Sequence, residues 1–345
     1  MKSPDDRATH APVISDKGIV MHILRRDIFE RSRIDTVRGL ACALLVAHHC
    51  TLSLTDYRGW DAETVHRVDE MLSYLRMPVF AFISGLILGI TSSPIPNTGF
   101  VLKKAKRLLV PFLAVTVILL VGRAAARGDV TPLDIPYSWI YPHSHMWFLP
   151  AAFLFFLASA FFSLVADLRQ PRGAIIFLAL ALCASSLPLP SGLPFAADKA
   201  AQLAPFFALG IAIAPLRKQA SPKHMALVGV VVATFALLLF MAGADASRVL
   251  ISTAVVSAVF LAMPYVRPLE WIGRYSFSIY LFHGVLISLL IRLAPGAPMF
   301  ASAATFLAAL LVPVAIEMAI RRWLPIAMPL IGQERPPPGV SPVAA

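Results

Sequence analysis

From residue 37 onward the chain alternates long apolar runs with short polar breaks. Hydropathy places ten such runs, at 37–54, 71–91, 107–122, 146–166, 174–188, 201–215, 224–242, 248–265, 273–292 and 300–320. Apolar stretches of about 17–25 residues match the hydrocarbon thickness of a bilayer, so the pattern predicts membrane helices rather than core helices of a soluble domain. The expected fold is an all-α integral membrane protein, a bundle of about ten transmembrane helices. The fifth and sixth runs are the shortest.

Polar segments flank the runs. Residues 1–32 read as a cytoplasmic N-terminal segment. Its first 17 residues are expected to be disordered, and "GIVMHILRRDIFERSRI" to lie as an amphipathic helix on the inner leaflet. Residues 33–323 form the transmembrane domain. Residues 324–345, with "GQERPPPGVSPVAA", read as a Pro-rich flexible tail. No cleavable signal peptide is expected before the first run, and no soluble catalytic domain at either end. The chemistry is then expected from the bundle and its short loops.

Composition agrees with the pattern: 58% of residues are hydrophobic and 14% charged, against about 25% charged in soluble domains. The net charge of +11 raises the question of nucleic acid. With a cytoplasmic amino terminus, however, the inner connections hold 22 of the 30 Lys and Arg. That asymmetry is the positive-inside rule, and it leaves no need for a nucleic-acid partner. The ten runs return the carboxyl terminus to the cytoplasmic side. The expected location is therefore the cell membrane, multi-pass, as in a bacterial inner membrane. Cys42, Cys50 and Cys183 have no paired or metal-like spacing and read as small buried apolar groups. No metal is expected.

Ionisable residues inside apolar runs are costly, and their default reading is functional. "RGLACALLVAHHC" carries Arg38 at one end and His48 and His49 at the other. Eleven residues of helix make three turns plus about 20°, so Arg38 and His49 share a face about 16 Å apart along the axis. Cys42 and Leu45 lie on that stripe, while His48 is rotated by about 100° and faces elsewhere. Taken singly, Arg38 reads as a snorkelling anchor and His49 as a buried histidine bonded to another helix. Together they suit an acyl-CoA donor, with phosphates at Arg38 and the thioester near His49. A neutral imidazole there can take the proton of an acceptor hydroxyl. Asp35 reads as the intrahelical partner of Arg38, and Glu317 as a boundary charge.

Other stretches add candidates. "YLRMPVFAFISGLILG" holds Arg76, with Ser84 and Gly85 as small packing residues. "KKAKRLLVPFLA" joins a basic cluster to a run, as a topology signal or an anion site. "HSHMWFLPAAFLFF" places His145 beside the interfacial Trp147. "IGRYSFSIYLFHG" sets Tyr280 and His283 one turn apart. His283 lies about 15 Å above the inner end of its run, a depth like that of His49, so the two imidazoles are expected to border one midplane cavity.

In this order, the Arg38–His49 pair, "MPVFAFISG", "RLLVPF", "HMWFL" and "YSFSIYLFH" resemble the acyltransferase 3 family of integral membrane acyltransferases, from about Arg33 to Trp323. "RIDTVRGLACALLVAHH" followed by "LSYLRMPVFAFISG" further resembles the family's fucose 4-O-acetylase-like branch. The resemblance implies a ten-helix bundle that moves an acyl group, commonly acetyl from acetyl-CoA, to a hydroxyl of a surface polysaccharide, glycolipid or oligosaccharide. It implies Arg38 and His49 as the essential pair and Arg107 as a second donor-binding residue. His145 and His283 are implied to bond the acceptor or line the cavity, in the neighbourhood of Trp147, Tyr280 and Arg76. Many members carry an extracytoplasmic esterase-like domain. The chain shows none, so direct transfer to a glycan is expected. Two rival readings are a secondary transporter, disfavoured because no internal repeat is found, and an inactive assembly subunit of a glycan-export system, which would need neither Arg38 nor His49.

Overall fold

The computed structural model describes residues 16–58, 62–90, 98–214, 248–293 and 298–334. Regular structure among them is entirely helical. The helices are α1 (Asp16–Arg58), α2 (Ala62–Ser73), α3 (Arg76–Ile90), α4 (Thr98–Arg127), α5 (Asp134–Ile140) and α6 (Phe148–Phe162). They continue with α7 (Pro171–Ser185), α8 (Ala197–Ile213), α9 (Arg248–Ala262), α10 (Arg267–Arg274), α11 (Ser276–Leu293) and α12 (Pro298–Trp323). Short 3-10 turns form at Ser144–Trp147, Pro194–Ala196 and Pro325–Ile331.

Each expected run coincides with helix, save 224–242, which lies outside the described residues. Among those residues four helical stretches are long and apolar enough to cross a membrane: Gly99–Ala125, Ser144–Phe162, Pro194–Ile213 and Ala303–Trp323. Ile251–Ala262 and Arg267–Arg274 make a fifth if the pair, bent by 118°, counts as one. Four or five is fewer than the ten expected. α3 and α7 have 15 residues each, about 22 Å of helix against a hydrocarbon core of about 30 Å. The first run is diluted by Arg38, His48 and His49.

Two boundaries differ from expectation. The segment 18–34 is no separate interfacial helix but the opening of the 43-residue α1. The expected flexible tail begins with order: Pro325–Ile331 is a 3-10 turn whose Met328 and Ile331 are buried. It packs on α4, α11 and α12. Prolines end helices without leaving the backbone free to wander, and alternate apolar residues still find a surface.

Close helix crossings set the architecture. A Cβ at Gly39 of α1 would lie 1.8 Å from the carbonyl oxygen of Leu269, and one at Gly273 of α10 would lie 1.9 Å from that of Asp35. The two backbones therefore touch, as small residues permit. Gly85 of α3 and Gly210 of α8 repeat the device, at 1.8 Å from the Phe207 oxygen and 2.1 Å from the Phe82 oxygen. Around the second crossing the rings of Phe155 and Phe207 stack at 5.3 Å, and Phe82 meets Phe260 edge-on at 5.1 Å. A smaller core joins α1, α11 and α12 through Cys42, Val46, Cys50, Ile279, Ile287 and Leu310. Cys183 departs from expectation: it is exposed on α7. Ile175, Ile176 and Leu180 of the same helix are exposed too, an apolar outer face of the kind lipid covers.

Candidate active site

α1 carries the first expected pair. Arg38 is partly buried and donates from Nη1 to Asp35 Oδ1 at 2.9 Å, the intrahelical partnership the spacing gives. The Gly39–Gly273 crossing brings α10 against this turn. Arg274, at the end of α10, is held one turn back by Glu270. Glu270 is buried and also accepts from Tyr265 Oη at 2.8 Å and Ser32 Oγ at 3.1 Å, which ties α10 to α1. From a third direction α4 supplies Lys104 and Arg107.

These four cations line one cavity of about 200 Å³. Its apolar walls include Phe148, Phe277 and Tyr280, and Gln333 comes in from the turn after α12. Lys104 rests its ammonium 4.1 Å above the ring of Phe156, a cation–π contact. Positive charge thus gathers at one part of the cavity and aromatic surface at another.

Beyond Tyr280 lies a cluster of imidazoles. Ring centroids of His145 and His283 are 4.6 Å apart, His49 is 5.1 Å from His283 and 6.1 Å from His145, and His48 is 4.7 Å from His49. Tyr280 stands 5.8 Å from His145 and 6.1 Å from His283, and its hydroxyl donates to the carbonyl of His145. His283 Nδ1 is 2.9 Å from the carbonyls of both Ile279 and Tyr280. Carbonyls only accept, so the proton sits on Nδ1 and Nε2 is left as an acceptor. That Nε2 is buried and has no hydrogen-bond partner.

His145 is fixed differently. It follows Ser144, whose φ of 55° is left-handed, a conformation uncommon outside glycine. Its Nε2 is 3.4 Å from the Leu281 carbonyl and its Nδ1 is 3.3 Å from Ser144 Oγ. Gly284 gives the ring its space: a Cβ there would lie 2.4 Å from Cε1 and 2.5 Å from Nδ1.

Several expected residues are placed otherwise than the sequence suggests. His48 does not face away from His49 but packs beside it, and pairs through Nδ1 with Asp69 Oδ1. The same oxygen accepts from Arg76 Nη1, so buried Arg76 serves this ion pair and not the cavity wall. Trp147 is likewise off the wall. Its ring lies under the Lys199 ammonium at 4.6 Å, and Phe148 and Leu149 line the cavity instead. His49 itself is not on the wall. It reaches the cavity through His283, His145 and Tyr280.

Glu317 is no boundary charge. It is fully buried and accepts from Ser278 Oγ, from Arg321 Nε at 2.9 Å and Nη2 at 2.6 Å, and from Gln333 Nε2 at 3.4 Å. Lys104, Arg274, Gln333 and Glu270 went unselected as site residues. "KKAKR" and "IGRYS" hold visible charges, but nothing in "IGQERPPP" signals a cavity residue. Among the described residues no group of three His, Cys, Asp or Glu is arranged for a metal ion.

The arrangement of polar groups extends from α1 to the turn after α12, and comparison with known proteins covers nearly the same stretch. An acyltransferase domain model, that of the acyltransferase 3 family, matches residues 31–321. No curated protein and no solved structure matches the chain. Since the match takes in well over half of the 345 residues, the chain belongs to the acyltransferase 3 family and is a membrane acyltransferase.

Proposed function

We propose that the protein is a membrane O-acyltransferase that moves acetyl from acetyl-CoA to a hydroxyl of a carbohydrate, within the fucose 4-O-acetylase-like branch of its family. One observation carries the reading: a cavity rich in cations is separated by a single residue, Tyr280, from a cluster of imidazoles. The donor's phosphates pair with Arg38 and Arg107, helped by Lys104 and Arg274. The thioester arm runs along the aromatic wall toward Tyr280.

His49 then acts as general base. It takes the proton of the acceptor hydroxyl while that oxygen attacks the thioester carbonyl. Collapse of the tetrahedral adduct breaks the C–S bond, and the departing thiolate takes the proton back from the imidazolium. Protons balance without a metal. In a second route His49 accepts acetyl first, as an acyl-histidine that the hydroxyl later attacks. His283 Nε2 is the open acceptor nearby, suited to orient the acceptor's hydroxyl.

The short apolar helices complete a ten-span bundle with both termini in the cytoplasm of a bacterial inner membrane, the donor arriving from that side. Purified protein in nanodiscs, with radiolabelled acetyl-CoA and a panel of surface glycans, tests the reading. Acetyl-CoA raises the melting temperature of the wild type and of His49→Ala alike, and only the wild type transfers label. A transporter of unrelated solutes or an inactive assembly subunit gives no transfer. A His49→Ala protein that still transfers acetyl overturns the assignment of the base. A labelled histidine trapped without acceptor selects the acyl-histidine route.

A further inference from the structure

A second, more open pocket of about 430 Å³ adjoins the cavity and shares Arg107 and Gln333 with it. Lys103 and Lys106 line it, as do Gly332 and Glu334 of the segment that follows α12. Volume alone makes this second pocket relevant. The inner cavity's 200 Å³ is below the roughly 300–1,000 Å³ of ordinary small-molecule sites. It has room for a thioester arm and not for a nucleotide as well.

Glu334 closes an ion pair with Lys103 at 2.8 Å across the mouth of this pocket. Both side chains are largely exposed, at 72% and 65%. The pair belongs to a strap: Gln333 is anchored by Glu317, and Gly332, with φ of 70°, lies so close to Phe277 and to the Arg107 carbonyl that a Cβ would clash with both. The strap is therefore rooted in the inner cavity at one end. At the other its carboxylate occupies a cation that faces the open pocket.

We propose that Glu334 is a specificity-determining residue, a carboxylate that occupies Lys103 until the terminal phosphate monoester of the acyl donor displaces it. The proposal rests on the donor named under the function above. A phosphate dianion carries more charge than a carboxylate and more acceptor oxygens, so it outcompetes Glu334 for the ammonium. A donor lacking that phosphate leaves the pair intact and gains nothing from Lys103. Preference for the phosphorylated donor is then set by the difference between two contacts to one lysine.

The test is direct binding of coenzyme A and of dephospho-coenzyme A to the full chain in nanodiscs, by titration calorimetry, which needs no turnover. Glu334→Gln removes the competitor and tightens coenzyme A by about two- to five-fold, the scale of one exposed ion pair, and leaves dephospho-coenzyme A unchanged. Lys103→Met weakens coenzyme A by a similar factor, again without effect on the dephospho form. In the Lys103→Met background, Glu334→Gln adds nothing. Both shifts shrink at 1 M salt. If Glu334→Gln shifts the two ligands equally, or neither, the proposal falls while the donor assignment stands. If the wild type binds neither ligand, the donor assignment itself falls. Both residues are surface-exposed, so loss of fold does not confuse the outcome.

Discussion

Tyr280 donates its hydroxyl hydrogen to the backbone carbonyl of His145 while its ring forms part of the cavity wall. One side chain thus fixes the 3-10 turn that presents an imidazole and also faces the space where the donor's arm is placed. Tyr280→Phe keeps the ring and deletes the bond, leaving a buried carbonyl unsatisfied at a cost of about 1–3 kcal/mol. The expected outcome is a lower melting temperature and a reduced kcat, with coenzyme A affinity unchanged because the cations are untouched. Calorimetry of unfolding and of binding checks both parts.

Gly284→Ala probes the same turn from α11. The added methyl falls within 2.4 Å of the His145 ring, so the ring has to leave its place. Transfer activity is expected to fall by at least about tenfold, as for a displacement of about 1 Å at a reacting centre. Helix propensity favours alanine over glycine by up to about 1 kcal/mol, so the melting temperature falls less than a purely disruptive change would make it. Activity and unfolding measured on one preparation separate the two effects.

Glu317 is the one acid that joins α11, α12 and the strap. Glu317→Ala leaves Ser278 and Arg321 facing a hole, with an expected loss of about 3 kcal/mol. Glu317→Gln keeps the shape and costs less. Ranked unfolding midpoints of wild type, Gln and Ala variants, in that descending order, are the expected result.

Acid should loosen the strap. The hydrogen bond from Lys103, and its charge, hold the Glu334 carboxyl below its ordinary value of 4.5. A carboxyl depressed in the folded state stabilises it fully above about 4.5, and the contribution is lost as pH falls through the lower folded value. Hydrogen exchange of residues 325–334 is expected to stay slow near neutrality and to quicken, beyond the intrinsic pH effect, only below about 4.5. Glu334→Gln removes that excess.

Periodicity and hydropathy locate helices well here, because apolar runs of this length have few other uses. The Asp35–Arg38 pair and the closeness of Tyr280 and His283 also follow from helical spacing alone. Partners from distant segments are harder to read. Nothing near Arg76 says that Asp69 takes its charge, and nothing near Glu317 says that Ser278 and Gln333 will bury it. The strap was hidden by its prolines, whose usual association with loose tails masks the buried Met328 and Ile331. His49 was legible as important, but its route to the cavity passes through rings contributed by three segments.

The cavity wall takes residues from Arg38 to Gln333. A nascent chain emerging from the ribosome can insert and pack its early helices long before that wall is whole. Donor recognition then switches on only with the last stretch of translation, and a polypeptide stalled after α12 would be an inserted bundle with no inner side to its pocket.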